Sequence, residues 1–341
     1  MAQKALVTGG AGFIGSHVAD ELIDRGLDVV VLDDLSGGFR ENIPEKAEFV
    51  EGSIVNTQLI HDLFTEYKFS YVYHLAAYAA EGLSHFIKKF NYENNVIGSI
   101  NLINASVNHA VKCFVFTSSI AVYGKNQLPM TEEMVPVPED PYGIAKLAVE
   151  QDLRASHEMF GLNYVVFRPH NVYGERQNIG DRYRNVVGIF MNQLMQGQPM
   201  TIFGDGQQSR AFSYIQDVAP SIAGSPFNQL ALNKVFNIGA ETPHTVNELA
   251  TIVAKAMGGK EDIIYLDTRN EVVHAFSSHK KLEEVFGDAP KVSLVDGVHR
   301  MALWAKKVGA KRGKTFEGVE IVKNMPKSWR AELAAGDPGR H

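Results

Sequence analysis

Tyr142 and Lys146 stand four residues apart in the segment Pro141-Tyr-Gly-Ile-Ala-Lys146, downstream of a Thr-Ser-Ser run at 117–119. A free tyrosine is a poor base, because its phenol ionises near pH 10. An ammonium group a few ångströms away favours the phenolate. Positions i and i+4 share one face of a helix, so a helix over this segment sets Lys146 beneath Tyr142. Lowering the phenol's pKa to ~7 corresponds to about 4 kcal/mol of differential interaction. The pair reads as a tyrosine general base with a cationic partner.

Such a pair needs a scaffold. The segment Thr8-Gly-Gly-Ala-Gly-Phe-Ile-Gly15 follows a strand and opens a helix. Gly9 permits the tight turn, Gly12 lets the backbone approach a pyrophosphate, and Gly15 lets the helix pack on the sheet. The helix N-terminus then offers N–H donors and positive potential to phosphates. Val29-Val-Val-Leu-Asp33 ends in an acid about 20 residues downstream, placed to bind a ribose diol. Asp33 repels a 2′-phosphate and no arginine follows it directly, so NAD is favoured over NADP; Asp34 is the alternative contact if the strand ends one residue later. A nicotinamide cation adds to the effect of Lys146 on the phenol.

The first half alternates β-branched runs with amphipathic segments, the pattern of a parallel sheet covered by helices. Strands are predicted at 4–7, 28–32, 47–51, 71–75, 113–118 and 163–168, and helices at 13–25, 57–68, 92–109 and 143–160. Asn56 and Thr57 suit a helix cap and Gly161 a C-cap. This order implies right-handed crossovers and an α/β, Rossmann-type doubly wound sheet over residues 1–170. A smaller, intermittent α/β lobe is expected over 171–309, with part of 210–240 returning to the first domain. Its predicted helices are 184–197, 246–257, 280–286 and 294–308, and its strands lie near 200–203, 211–215, 234–238 and 262–266. Residues 310–341 read as a polar, partly disordered tail. The basic residues Lys306, Lys307, Lys311, Arg312 and Lys314 read as a solvated helix end.

The chain has 341 residues, 45% apolar and 21% charged, ordinary for a soluble globular protein. A net charge of −6 gives no electrostatic case for nucleic acid or an anionic membrane. No apolar run approaches membrane-spanning length, and a strand opening at Lys4 leaves no room for a signal peptide. Cys113 is the only cysteine, so no internal disulfide forms, which fits a cytoplasmic protein. Cys113 opens an apolar strand and reads as core filling rather than as a nucleophile. No metal is expected.

Taken in order, residues 8–15, Asp33, His74-Leu-Ala-Ala77, Asn94-Asn95, Phe116-Thr-Ser-Ser-Ile-Ala-Val-Tyr-Gly124, Tyr142 to Lys146, Arg168-Pro-His-Asn-Val-Tyr-Gly174 and Ser209-Arg-Ala-Phe-Ser-Tyr-Ile215 carry a resemblance. The sequence resembles the extended short-chain dehydrogenase/reductase family, and within it nucleotide-sugar epimerases of the UDP-glucose 4-epimerase type. The resemblance implies Ser119, Tyr142 and Lys146 as the catalytic residues. It implies cofactor contacts at Gly9, Gly12, Phe13, Ile14, Gly15, Asp33, Asp34, Ser53, Ile54, Leu75, Ala76, Ala77, Asn94, Thr117, Tyr142, Lys146 and Pro169. The UDP-sugar is expected at Ser119, Asn171, Asn185, Phe203, Arg210 and Arg269, where two guanidinium groups suit a diphosphate and an aromatic face suits a uracil. Asn185 equally reads as a helix cap and Phe203 as core. His74 reads as a packed strand-end residue, and His170 enters only as the neighbour of Asn171. A homodimer through helices like 92–109 and 143–160 is implied by the same resemblance.

Departures from the family pattern narrow the chemistry. Ser53 stands where members often carry an aspartate near the adenine. Ile120 and Ala121 follow Ser119, where the 4,6-dehydratases carry an Asp-Glu pair and the decarboxylating members usually a glutamate; neither residue here can move a proton. The implied reaction is inversion at carbon 4 of a UDP-hexose, with Tyr142 taking the 4-hydroxyl proton while NAD oxidises that carbon and then reduces it from the other face. UDP-glucose and UDP-galactose are favoured. UDP-glucuronate is the alternative, since Arg176, Arg182 and Arg184 could pair with a carboxylate, although Glu81 opposes it. The loop at 174–178 also fits epimerases of N-acetylated sugars. At the sugar, Ala275 and Phe276 are both open. A non-catalytic NAD(H)-binding sensor and an alcohol dehydrogenase releasing NADH are the competing classes; the intact Ser119, Tyr142 and Lys146 argue against the sensor.

Overall fold

The computed structural model describes residues 3–330, apart from 126, 269–273, 290, 314, 315 and 328. The first half runs β1 (Lys4–Thr8), α1 (Phe13–Asp24), β2 (Asp28–Asp33), β3 (Glu48–Glu51), α2 (Thr57–Tyr67) and β4 (Tyr71–His74). Two short helices follow, α3 (Glu81–Ser84) and α4 (Lys88–Tyr92), then α5 (Gly98–Asn108), β5 (Cys113–Thr117), α6 (Pro141–Phe160) and β6 (Tyr164–Pro169). The second half carries β7 (Val172–Tyr173), α7 (Val186–Met195), β8 (Met200–Phe203), β9 (Ser209–Ala211), β10 (Ser213–Tyr214), α8 (Ala219–Gly224) and β11 (Lys234–Ile238). It ends with β12 (Pro243–Thr245), α9 (Val246–Met257), β13 (Ile263–Leu266), β14 (His274–Ala275), α10 (Lys280–Phe286) and α11 (Leu294–Val308).

The main sheet has seven parallel strands in the order β11-β6-β5-β4-β1-β2-β3. Its central strands are buried on both faces, which is why they read as continuous apolar runs. Ala5 and Val7 of β1 pack into one core, and Leu6 between them packs into the other. The alternation follows from the two-residue period of a strand. Each fully buried aliphatic side chain contributes roughly 1.5–3 kcal/mol against exposure. Between β1 and β4 the strand order reverses, and the crevice at their carboxyl ends is where such sheets bind ligands.

Local signals fix the helix that matters most. Asp140 Oδ1 accepts from Gly143 N at 2.9 Å, Pro141 occupies the first turn, and Gly161 ends α6 at φ +75°. Asn56 Oδ1 caps α2 by accepting from Leu59 N at 3.1 Å.

Several expectations need correction. The helix predicted over 92–109 begins earlier, at Lys88, and carries a π-turn at Glu93–Ile97 before α5. The strand predicted over 211–215 is two pieces, β9 and β10, separated by Phe212, and each pairs in a different small sheet. The short elements α3, β7, α8, β12 and β14 carry too few residues to show a period. β11, by contrast, lies in the 210–240 stretch of which part is expected to return to the first domain, and it pairs with β6 in the main sheet. The polar tail is not loose over its described part. Met325 and Trp329 are 3% and 6% exposed and pack against Ala80, Leu83 and Ile87. Lys311 is no free helix-end cation: its backbone is held by Asn192 and its Nζ lies 5.8 Å from the Phe39 ring centroid. Lys314 lies outside the described residues.

Candidate active site

The glycine turn closes on itself. Gly9 has φ +71°, and a Cβ there would stand 2.7 Å from the Ala76 backbone nitrogen. A Cβ on Gly15 would meet Gly9 O at 2.1 Å, so helix and loop pack with no room for a side chain. Gly12 is the N-cap of α1 and offers no side-chain cap, while Phe13, Ile14 and Gly15 of the first turn line a cleft of about 540 Å³. An uncapped N-terminus beside a glycine turn is a phosphate site by construction.

Asp33 ends β2 and is 8% exposed. Its Oδ2 accepts from Ala11 N at 3.1 Å and its Oδ1 from Leu35 N at 2.8 Å, so the carboxylate is held rigidly at the cleft wall. Burial raises its pKa, and the backbone donors oppose that rise. Asp34 also lines the cleft, but its Oδ1 accepts from Ser36 N at 2.9 Å in its own exposed turn. Asp33 is therefore the better-placed acid for a ribose diol.

The candidate reaction centre lies at the end of β5. Ser119 is extended, its Oγ accepts from Ala121 N at 3.1 Å, and it stands close enough to the Tyr142 hydroxyl to favour ionisation of the phenol. Lys146 lies one turn along α6, 3% exposed, with Nζ donating to Thr117 O at 2.8 Å and standing 5.7 Å from the Tyr142 ring centroid. The i, i+4 geometry expected from sequence is present. Its electrostatic consequence is not. In the protein without ligand the Tyr142 phenol is raised, not lowered: burial dominates, Ser119's hydrogen bond opposes it, and the charges of Glu81 and Asp140 add to the rise. Lys146 points at the Thr117 carbonyl, and burial brings its own pKa down to about 7 while Glu150 resists that fall.

Beneath this pair lies a buried ion network. Glu150 takes Arg168 in a two-point contact, Nη2 to Oε2 at 2.6 Å and Nε to Oε1 at 3.0 Å, and Ser118 Oγ donates to the same Oε1. Arg168 Nη1 also donates to Tyr123 Oη at 2.7 Å. Sequence reading missed Glu150 as a supporting residue, although it continues the four-residue spacing Tyr142, Lys146, Glu150.

A dinucleotide fits these groups. The buried Thr117 Oγ1 has no hydrogen-bond partner and borders the cleft beside Lys146, an acceptor and donor left for a ligand. Ser53, Ile54, Leu75, Ala76, Ala77, Asn94 and Pro169 line the same cleft. Asn94 Nδ2 donates to Phe90 O at 2.9 Å, whereas its neighbour Asn95 is buried and clamps the Tyr78 backbone.

At the far end the cleft is lined by Asn171, Asn185, Phe203 and Arg210. Asn185 stands at the N-cap of α7 with φ +64°, yet makes no capping bond, so the cap reading fails and the side chain borders the cleft. Phe203 is partly exposed to the cleft rather than core. Ala275, paired with Arg210 across β14 and β9, lines the cleft, and Phe276 does not. Arg269 lies outside the described residues. His74 is a packed residue: its ring nitrogens bond Thr8 Oγ1 and Ser99 Oγ, each at 2.8 Å, and burial holds it down to about 3. His170 borders the cleft with both nitrogens engaged, by Ala211 O and by His279 Nε2. Tyr78, Phe90, Tyr183 and Arg184 also line the cleft; no short-range pattern marked the three aromatic residues.

A doubly wound sheet, a glycine turn at its switch point and a Ser-Tyr-Lys centre define a dinucleotide-dependent enzyme of the short-chain dehydrogenase/reductase kind. The chain belongs to the NAD dependent epimerase/dehydratase family, whose model matches residues 5–239. A putative UDP-glucose 4-epimerase of Methanocaldococcus jannaschii is 36% identical over 307 residues, 88% of this chain and 98% of the relative. Among solved structures, UDP-glucose 4-epimerase from Thermotoga maritima with UDP-glucose is 37% identical, with a TM-score of 0.86 over 90% of this chain and 99% of that one. UDP-glucuronic acid 4-epimerase from Bacillus cereus, in complex with UDP-glucuronic acid and NAD, is 28% identical with a TM-score of 0.82, over 90% of this chain and 100% of that one.

Proposed function

We propose that this chain is an NAD-dependent nucleotide-sugar 4-epimerase that inverts carbon 4 of a UDP-hexose, with UDP-glucose and UDP-galactose the favoured pair. The observation that carries this is the convergence of Ser119, Tyr142 and, one turn along α6, Lys146 on the same cleft as the glycine turn and Arg210. Bound NAD supplies the transient oxidation of carbon 4 and its reversal. Tyr142 takes the 4-hydroxyl proton and returns it, and Ser119 Oγ holds the sugar oxygen in reach of the phenol. Lys146 supplies the positive charge next to the cofactor ribose. Arg210 meets the diphosphate, Phe203 faces the uracil, and Asn171 and Asn185 hold the polar edges between them. The UDP anchor carries the binding energy, which leaves the hexose free to turn its other face.

A neutral hexose is favoured over UDP-glucuronate. Two arginines that might have met a carboxylate are already paired, Arg176 with Asp20 at 2.6 Å and Arg184 with Asp181 at 2.5 Å. Glu81, whose charge reaches the Tyr142 phenol, repels an anionic sugar. Turnover of UDP-galactose by purified protein with no added NAD is the expected result, and a panel with UDP-glucuronate and UDP-N-acetylglucosamine ranks the sugars. Replacement of Tyr142 by Phe is expected to cost about 10³-fold in kcat; near-normal turnover would defeat the proposed base.

The same reading includes a homodimer through the helical stretch 88–108 and α6, where Ile97 and Ile144 are 51% and 42% exposed. Sedimentation at micromolar concentration checks it. No helix among the described residues is long and apolar enough to cross a membrane. A cytoplasmic location, read from the single buried cysteine, is checked by cell fractionation.

A further inference from the structure

The cleft wall beside the candidate reaction centre includes segment 78–92. Its α3 has four residues, far below the length at which a helix persists alone, and α4 is the first turn of the helical stretch that runs on to Asn108. The segment abuts the catalytic helix. Ser84 Oγ accepts from Tyr142 N at 3.3 Å, and Tyr78, Gly82 and Phe90 line the cleft.

Asn95 clamps the Tyr78 backbone and Asn91 Nδ2 donates to Pro141 O at 2.9 Å, and a further set of contacts comes from the far end of the chain. Phe316 packs on the touching pair Tyr78 and Phe90, with ring centroids 5.2 and 5.1 Å away. Trp329 stands edge-on to Tyr183 at 5.1 Å, and a Cβ on Gly82 would lie 3.6 Å from the indole. Ile87 at the N-cap of α4 has no side chain to cap it; Glu320 does so instead, its Oε2 accepting from Lys89 N at 2.8 Å and its Oε1 from Phe90 N at 2.9 Å. Glu320 N in turn donates to Phe86 O at 2.8 Å. This small core is separate from the two that pack the main sheet, and Met325 and Trp329 are among its five buried members. The glycine turn and Asp33 draw nothing from it.

We propose that residues 316–330 form a strap that sets the width of the sugar end of the cleft, and so selects among UDP-hexoses by their bulk. The inference rests on the UDP-hexose reading above. The strap touches the wall from behind, so its residues are positioning residues. Tyr78, Phe90 and Tyr183 transmit its packing to the substrate. Loosening the strap widens the sugar end and leaves the dinucleotide and uridine ends alone.

The test compares full-length wild type with Trp329→Ala, Trp329→Phe and Glu320→Gln. NAD and UDP affinities are measured by calorimetry, and kcat and KM with UDP-galactose and UDP-N-acetylgalactosamine. For Trp329→Ala we expect KM for UDP-galactose to rise about 10-fold, NAD and UDP affinities to stay within about 2-fold, and preference for the smaller sugar to shrink about 5-fold. Trp329→Phe is expected to restore most of that preference, and Glu320→Gln to speed amide exchange at residues 89 and 90. An unchanged KM and sugar ratio in folded Trp329→Ala overturns the proposal, as does an equal loss of UDP affinity. Should Trp329→Ala not fold, the sugar ratio of Glu320→Gln decides: a shrunken ratio supports the strap and an unchanged one overturns it. Failure of the epimerase reading shows separately, as wild type that binds NAD yet turns over neither sugar.

Discussion

The acidity of one phenol is decided by terms of opposite sign. Burial pushes the Tyr142 hydroxyl above its ordinary value, and Ser119 is the neighbour whose hydrogen bond most opposes that. The proposed mechanism therefore gives Ser119 two duties, placing the sugar oxygen and easing loss of the phenolic proton. Replacing it with Ala removes the lowering contact, so the phenol's pKa rises further. If phenolate is the working base, kcat/KM climbs with pH through that pKa. The Ser119→Ala profile should then have its acidic limb shifted to higher pH, with kcat down about 10²-fold. A pH–rate profile that keeps its limb in place would limit Ser119 to placing substrate. Lys146 runs the other way: burial brings it to about 7, so without ligand its charge is present below that pH and fades above it.

At the scale of the element, α6 presents Tyr142, Lys146 and Glu150 at successive four-residue steps, all buried. The last of the three faces Arg168 on β6, with side chains 4% and 5% exposed. Taking two charges out of water costs several kcal/mol per ion, and their close two-point contact offsets it only while both are present. Glu150→Ala strands a buried guanidinium and is expected to destabilise the fold by about 3–5 kcal/mol in urea unfolding. Replacing both residues with methionine is expected to recover most of that loss, because apolar groups of similar volume leave no orphaned charge. A double variant as unstable as Glu150→Ala would show that the loss comes from packing. The turnover of a folded Glu150→Gln enzyme measures the network's service to Lys146 apart from stability.

At the scale of the whole molecule, three histidines among the described residues are buried in the neutral form. Burial holds His74 down to about 3, His170 to about 4 and His279 to about 2. His170 and His279 share a hydrogen bond across 109 residues of sequence, joining the end of β6 to the start of α10. Each has a folded pKa below its unfolded value near 6.5, so the unfolded chain binds more protons in acid. Their contribution is present above pH 6.5 and is lost as pH falls, down to about 4 for His170, about 3 for His74 and about 2 for His279. Each is worth a slope of about 1.4 kcal/mol per pH unit in that window. Urea midpoints between pH 7 and pH 5 should fall accordingly, and His74→Gln should flatten the slope. A slope unchanged by that replacement would count against a neutral, buried His74.

What could be read along the chain was whatever neighbours in sequence decide among themselves. The glycine turn, the acid ending β2, the cap of α6 and the Tyr142–Lys146 spacing each depend on a few consecutive residues and on helix or strand periods. Every proposed site residue that the structure describes borders one cleft. The family resemblance added the UDP end, where Asn171, Asn185, Phe203 and Arg210 come from four separate segments. The short elements α3, β7, α8, β12 and β14 escaped, because such stretches hold their shape only through tertiary contacts. Tertiary structure alone decided the direction of the Tyr142 shift, since desolvation depends on what packs over the ring rather than on its helical neighbours. It alone brought Glu150 against Arg168, and packed a tail read as polar and partly disordered behind the wall of the cleft. Burial is a property of three-dimensional neighbours, and no spacing along the chain encodes it.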